Sequence, residues 1–118
     1  MAKRVLIVDD NANMSSLLSE MLEVFDFESV RADNGDKALA ELGEGGFSMV
    51  ITDMRMPNMS GLELLREVKS RYPKLPVILI SGYPVAEIER QAGDVRPDGI
   101  LGKPLMMSDI ERLVNSLL

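Results

Sequence analysis

The sequence predicts an α/β domain: one doubly wound parallel sheet of five strands, covered by five helices. Three observations carry that expectation. Short apolar runs rich in β-branched residues recur along the chain, and the three strongest do not alternate with period two, so each suits a strand buried on both faces. Stretches with apolar residues at helical spacing lie between those runs. Acids, a hydroxyl and a lysine stand directly after the runs, where an open parallel sheet presents its ligand-binding edge.

The first strand is Val5–Val8, and it runs straight into the adjacent carboxylates Asp9 and Asp10. Asn11 suits a helix cap, and Met14, Leu17, Leu18, Met21, Leu22 and Phe25 trace one face of the first helix. Ser29–Ala32 is a weaker second strand. Ala38, Leu39 and Leu42 mark a shorter helix that the stretch GEGG ends. Met49–Thr52 is the third strand, followed by Asp53. Leu62, Leu65, Val68 and Tyr72 mark the third helix, with Ser60 and Glu63 spaced as a capping box. Val77–Ile80 is the fourth strand, and Ser81 and Gly82 follow it. Val85, Ile88 and Ala92 give a fourth, short helix, with Pro84 near its first turn and Gly93 closing it. Ile100–Leu101 is a weak fifth strand, followed by Lys103 and Pro104. Ile110, Leu113, Val114 and Leu117 mark the last helix, with Ser108 and Glu111 as a second capping box. Strands alternating with helices, joined by right-handed crossovers, point to the flavodoxin-like strand order 2-1-3-4-5. No repeat, linker or low-complexity segment breaks the 118 residues, so residues 1–118 read as one domain with no output domain visible.

Composition removes several function classes. Lys and Arg number 13 against 19 Asp and Glu, a net charge of −6. That balance argues against direct nucleic-acid binding, which needs a positive footprint. No apolar run approaches the roughly 20 residues that cross a bilayer, and the N-terminus lacks a signal peptide's apolar region, so no membrane association and a cytoplasmic location are expected. The chain has no Cys and no His, so any chemistry runs on carboxylates, hydroxyls, Lys and Arg.

In the expected strand order, Asp9, Asp10, Asp53, Ser81 and Lys103 converge on one shallow pocket at the switch point. Singly, each has a bland reading: Asp10 as a helix cap, Ser81 as a turn residue, Lys103 as a solvated charge. Together they read differently. Three acids at one sheet edge repel, and they have no three basic partners nearby in sequence. A divalent cation resolves the repulsion. Mg²⁺ takes oxygen ligands and keeps company with phosphate, whereas zinc and copper favour the His and Cys absent here.

The stretches LIVDDN, VITDMRMPNMSGLELL, LISG and GKPL, in that order, resemble the successive motifs of the receiver domains of bacterial two-component response regulators, over the whole span from Val5 to Leu118. The resemblance implies that Asp53 is the phosphoacceptor, attacking phosphohistidine on a sensor histidine kinase or phosphotransfer domain. It implies that Asp9, Asp10, Asp53 and the Arg55 backbone carbonyl hold Mg²⁺. Ser81, with Gly82 beside it, would bond a phosphoryl oxygen, Lys103 would pair with the phosphoryl group, and Pro104 would follow in a cis peptide. Arg55 and Tyr83 match positions that flank the site and tune dephosphorylation; equally, Arg55 could pair with an acid and Tyr83 cover a loop. The implied protein is a signalling switch, not an enzyme acting on other substrates, and its state is read by an effector protein or a fused output domain, or through a phosphorylation-dependent dimer. An ionised Asp53 suits this role without a general base, since a normal Asp has a pKa of about 3.9. Mg²⁺ and Lys103 would offset the charge of the phosphoryl group.

One position departs from the family. Its members usually carry Tyr or Phe three residues before the lysine, and here that residue is Ile100. The bland reading, favoured for an isolated β-branched residue, is that Ile100 packs in the core; the sharper one is that the readout differs or weakens. The stretch AGDVRPDGI is expected to form a longer loop on the output face after an early end to the fourth helix. A rival reading keeps the fold as a docking module without phosphorylation. A flavin-binding protein is disfavoured by the few aromatics and the lack of a hydroxyl- and glycine-rich loop after the first strand. A haloacid-dehalogenase-type hydrolase would want its two acids separated by one residue, and Asp9 and Asp10 are adjacent.

Overall fold

The computed structural model describes residues 3–82 and 84–118. Five parallel strands, β1 (Arg4–Val8), β2 (Glu28–Ala32), β3 (Met49–Asp53), β4 (Val77–Ser81) and β5 (Gly99–Gly102), form one sheet in the order β2-β1-β3-β4-β5. The helices α1 (Ala12–Val24), α2 (Gly35–Glu44), α3 (Gly61–Arg71), α4 (Val85–Ala92) and α5 (Met107–Leu117) alternate with them. This is the predicted flavodoxin-like architecture.

The central strands lack period-two alternation because both their faces are covered. Every residue of β3 and β4 is buried, as are the last four of β1. On one face Leu6, Val8, Val50 and Leu79 pack with Leu42 of α2, Leu65 and Val68 of α3 and Ile88 of α4. On the other, Val5, Ile7, Ile51 and Ile80 pack with Leu18 and Leu22 of α1 and Ile110 and Val114 of α5. The sheet thus separates two apolar clusters.

The weaker strand signals are explained by position. β2 and β5 are the edges, so β2 carries Glu28 and Arg31 exposed and β5 is bracketed by glycines. Both run longer than their apolar residues suggest, because pairing with β1 and β4 recruits Glu28, Gly99 and Gly102. At Gly99 a Cβ would lie 2.9 Å from Leu113 Cδ2 of α5, so a side chain there would require Leu113 to shift. α4 closes at Gly93 with φ 67°, and residues 93–98 form the predicted connection to β5.

Capping follows expectation in α1, where the Asn11 side chain accepts from the Met14 amide, and in α3, where the Ser60 hydroxyl accepts from the Glu63 amide. The second capping box does not form. Ser108 lies inside α5, whose N-cap is Met106 with no side-chain bond, because the helix begins two residues earlier than the motif implies.

Candidate functional site

β1, β3, β4 and β5 deliver the polar residues to one edge, each by ending just before or at the residue concerned. Asp9 follows Val8, and its amide donates to the Ala32 carbonyl at 3.1 Å, carrying the β1–β2 pairing one residue past the strand. The Asp9 carboxylate then accepts from the Asn11 amide at 2.9 Å, while Asn11 caps α1. Asp10 is therefore not the cap. It is exposed beside Asp9. Asp53 is the last residue of β3 and is 6% exposed.

Carboxylate oxygens of Asp9, Asp10 and Asp53 all lie within 4.8 Å of one another. Burial pushes the Asp9 carboxyl above its ordinary range; the Asn11 amide opposes that rise, and the charges of Asp53 and Asp10 add to it. Against three acids stands Lys103, whose Nζ lies 3.1 Å from Asp53 Oδ1. The other Asp53 oxygen accepts from the Arg55 amide at 3.3 Å. A cluster of hard oxygen donors with one ammonium is short of positive charge, and that donor set fits a divalent cation such as Mg²⁺.

Ser81 is buried at the end of β4, and its carbonyl accepts from the Lys103 amide at 3.2 Å. The Lys103–Pro104 peptide is cis. Asp53, Met54, Arg55, Ser81, Gly82 and Lys103 line a cleft of about 290 Å³. The structure thus brings together Asp9, Asp10, Asp53, Ser81, Gly82 and Lys103, with Arg55 at the rim. Ile100 is elsewhere: it is half-buried in β5 and packs against the apolar cluster beneath α2, α3 and α4. Tyr83 lies outside the described residues.

Two further residues hold the Asp53 peptide; in sequence Gly61 stood out only as the glycine at the entry to the third helix, and Thr52 only as the end of the third strand. Thr52 is fully buried, and its hydroxyl donates to the Asp53 carbonyl at 3.1 Å. Gly61 opens α3 against the same peptide: a Cβ there would lie 2.3 Å from the Asp53 carbonyl oxygen. A hydroxyl inside an otherwise aliphatic strand is the signal that could have drawn attention to Thr52.

Fold, acidic cluster and lysine together are those of a response-regulator receiver domain, and the chain belongs to that family. The family model for the response regulator receiver domain matches residues 5–115. Among individual proteins, the chain is 37% identical over 120 residues to the two-component response regulator ORR5 of Oryza sativa, covering 99% of this chain and 90% of ORR5. It is 41% identical over 83 residues to the response regulator protein FleR of Pseudomonas aeruginosa, covering 70% of this chain but 18% of FleR's length. The structure of the chemotaxis response regulator CheY4 of Vibrio cholerae superposes with a TM-score of 0.90 at 27% identity, covering 100% of both chains.

Proposed function

We propose that this receiver domain is a phosphorylation-driven switch, taking a phosphoryl group onto Asp53 from the phosphohistidine of a sensor kinase or phosphotransfer domain. The observation that carries the reading is the Asp53 carboxylate itself. It is buried at a strand end, 3.1 Å from an ammonium and grouped with two further acids.

In the reaction, an Asp53 oxygen attacks phosphorus. The bond from phosphorus to the donor's imidazole breaks, its electron pair returns to the ring nitrogen, and that nitrogen takes up a proton. The bond to the Arg55 amide and the Lys103 contact hold the carboxylate in one orientation for that attack. Asp9, Asp10, Asp53 and the Arg55 carbonyl would hold Mg²⁺, which when bound supplies Lewis-acid neutralisation of phosphoryl charge. Lys103 offsets the charge that remains. The Ser81 hydroxyl then donates to a phosphoryl oxygen, drawing the β4–α4 loop toward the site. Ile100 carries no ring to report that movement, so the output face between α4 and α5 signals by other contacts.

The domain acts on its own Asp53 and on no separate substrate. A cytoplasmic effector or a fused output domain reads its state, with dimerisation on phosphorylation as one form of that reading. Incubation with Mg²⁺ and acetyl phosphate tests the proposal. A mass gain of one phosphoryl group is expected, absent in Asp53→Asn and in excess chelator. No gain in the parent would leave a docking module instead.

A further inference from the structure

The β3–α3 loop carries three methionines, Met54, Met56 and Met59, within six residues of Asp53. Two of their sulfurs make specific contacts. Met56 Sδ lies 3.9 Å from the Thr52 hydroxyl, the same hydroxyl that donates to the Asp53 carbonyl. Met59 Sδ rests on Gly35, the first residue of α2: a Cβ at Gly35 would lie 2.5 Å from that sulfur. The Thr52 hydroxyl has one proton, so the Met56 sulfur is a weak competitor of the Asp53 carbonyl for it, and Met59 ties the loop to α2. Both side chains are half-buried, whereas Met54 is only 8% exposed. With no cysteine in the chain, thioethers are the side chains that a peroxide oxidises.

We propose that Met56 and Met59 form an oxidation site that couples peroxide to the state of the Asp53 pocket. This rests on the phosphoacceptor reading of Asp53. The sulfur lone pair attacks one peroxide oxygen and the O–O bond breaks. Sulfur loses two electrons and becomes a sulfoxide, while the other oxygen takes the electron pair and a proton and leaves as water or an alcohol. At Met56 the new oxygen is a stronger acceptor than the thioether and draws the Thr52 hydroxyl away from the Asp53 carbonyl. At Met59 the side toward Gly35 is closed, so the oxygen adds on the sulfur's other face and makes the apolar contact with α2 polar, which loosens the loop. Methionine sulfoxide reduction reverses both changes.

The test uses the whole chain with Met106→Leu as the parent, which removes an exposed methionine at 54% exposure. Protein treated with graded hydrogen peroxide is peptide-mapped, melted in chelator, and titrated with beryllofluoride in the presence of Mg²⁺. Sulfoxide is expected at Met56 and Met59, with affinity for beryllofluoride about fivefold weaker, the effect of roughly one lost hydrogen bond. The melting temperature is expected to fall by about 4 °C. Methionine sulfoxide reductase restores both, and a variant that also carries Met56→Leu and Met59→Leu keeps both through peroxide treatment. Equal losses in that variant, or Met56 and Met59 left unoxidised under peroxide that oxidises Met106 fully in the unsubstituted chain, would overturn the proposal. Protein that never binds beryllofluoride overturns the Asp53 reading instead, and the mapping and melting then decide the oxidation site alone.

Discussion

Replacing Asp9 by Asn should stabilise the metal-free protein. Asp9 and Asp53 are 5% and 6% exposed, with oxygens within 4.8 Å of each other. At an effective dielectric of about 20, two unit charges at that separation repel by roughly 3 kcal/mol. Part of this is already offset, because Lys103 lies against Asp53 and the Asn11 amide donates to Asp9. Asparagine keeps an acceptor for that amide and removes the charge, so a net gain of about 1–2 kcal/mol remains. Urea unfolding in chelator at pH 7 measures it. With a slope of about 1–3 kcal/mol per molar, the midpoint should rise by roughly 0.5–1 M. The pH dependence follows from the sign of the shift. The folded carboxyl binds its proton more tightly than the unfolded one, so the penalty from Asp9 is full above its raised folded pKa and vanishes as pH falls below the unfolded value. The advantage of Asp9→Asn should shrink over the same descent. With Mg²⁺ added, the parent should gain more stability than the variant. A variant less stable than the parent in chelator at pH 7, or an advantage unchanged down to acid pH, would refute the reasoning.

Other perturbations have equally direct readings. Asp98→Ala removes a carboxylate that pairs with Lys69 at 2.6 Å and accepts from the Val77 amide at 2.8 Å, so it should cost about 2 kcal/mol in urea unfolding, with Asp98→Asn costing less. Gly61→Ala should destabilise by about 1–3 kcal/mol by thermal melt, even though Ala is the better helix former, because its Cβ meets the Asp53 carbonyl. Glu87 is held below the usual carboxylate range by the Gln91 amide and then by Arg90. A depressed acid stabilises above its unfolded pKa and stops doing so as pH falls through the folded value, so hydrogen-exchange protection of α4 should decline on acidification, and less so in Glu87→Gln.

The sequence carried the buried strands and the strand-end residues because both depend on local facts. Val77–Ile80 is aliphatic without alternation, which only a doubly covered strand explains, and parallel topology then sends Ser81 to the same edge as Asp53. The limits lay where partners decide. The full extent of β5 is set by its ladder to β4 and not by its own residues, two of which are glycine. The Ser108–Glu111 spacing signalled a cap, yet α5 begins earlier, at Met107. The grip of Thr52 and Gly61 on the Asp53 peptide depends on distances across a loop, which no spacing in the chain encodes.

The Lys69–Asp98 pair has a consequence for how β4 and β5 deform. Lys69 Nζ also donates to the Leu75 carbonyl at 2.8 Å, and the Asp98 amide donates to the Val77 carbonyl at 2.8 Å. The starts of both strands are thus riveted together and to the end of α3. At their far ends the Lys103 amide donates to the Ser81 carbonyl beyond the ladder. The strand pair is fixed where it leaves α3, so any movement of Ser81 and Lys103 relative to Asp53 has that end as its base.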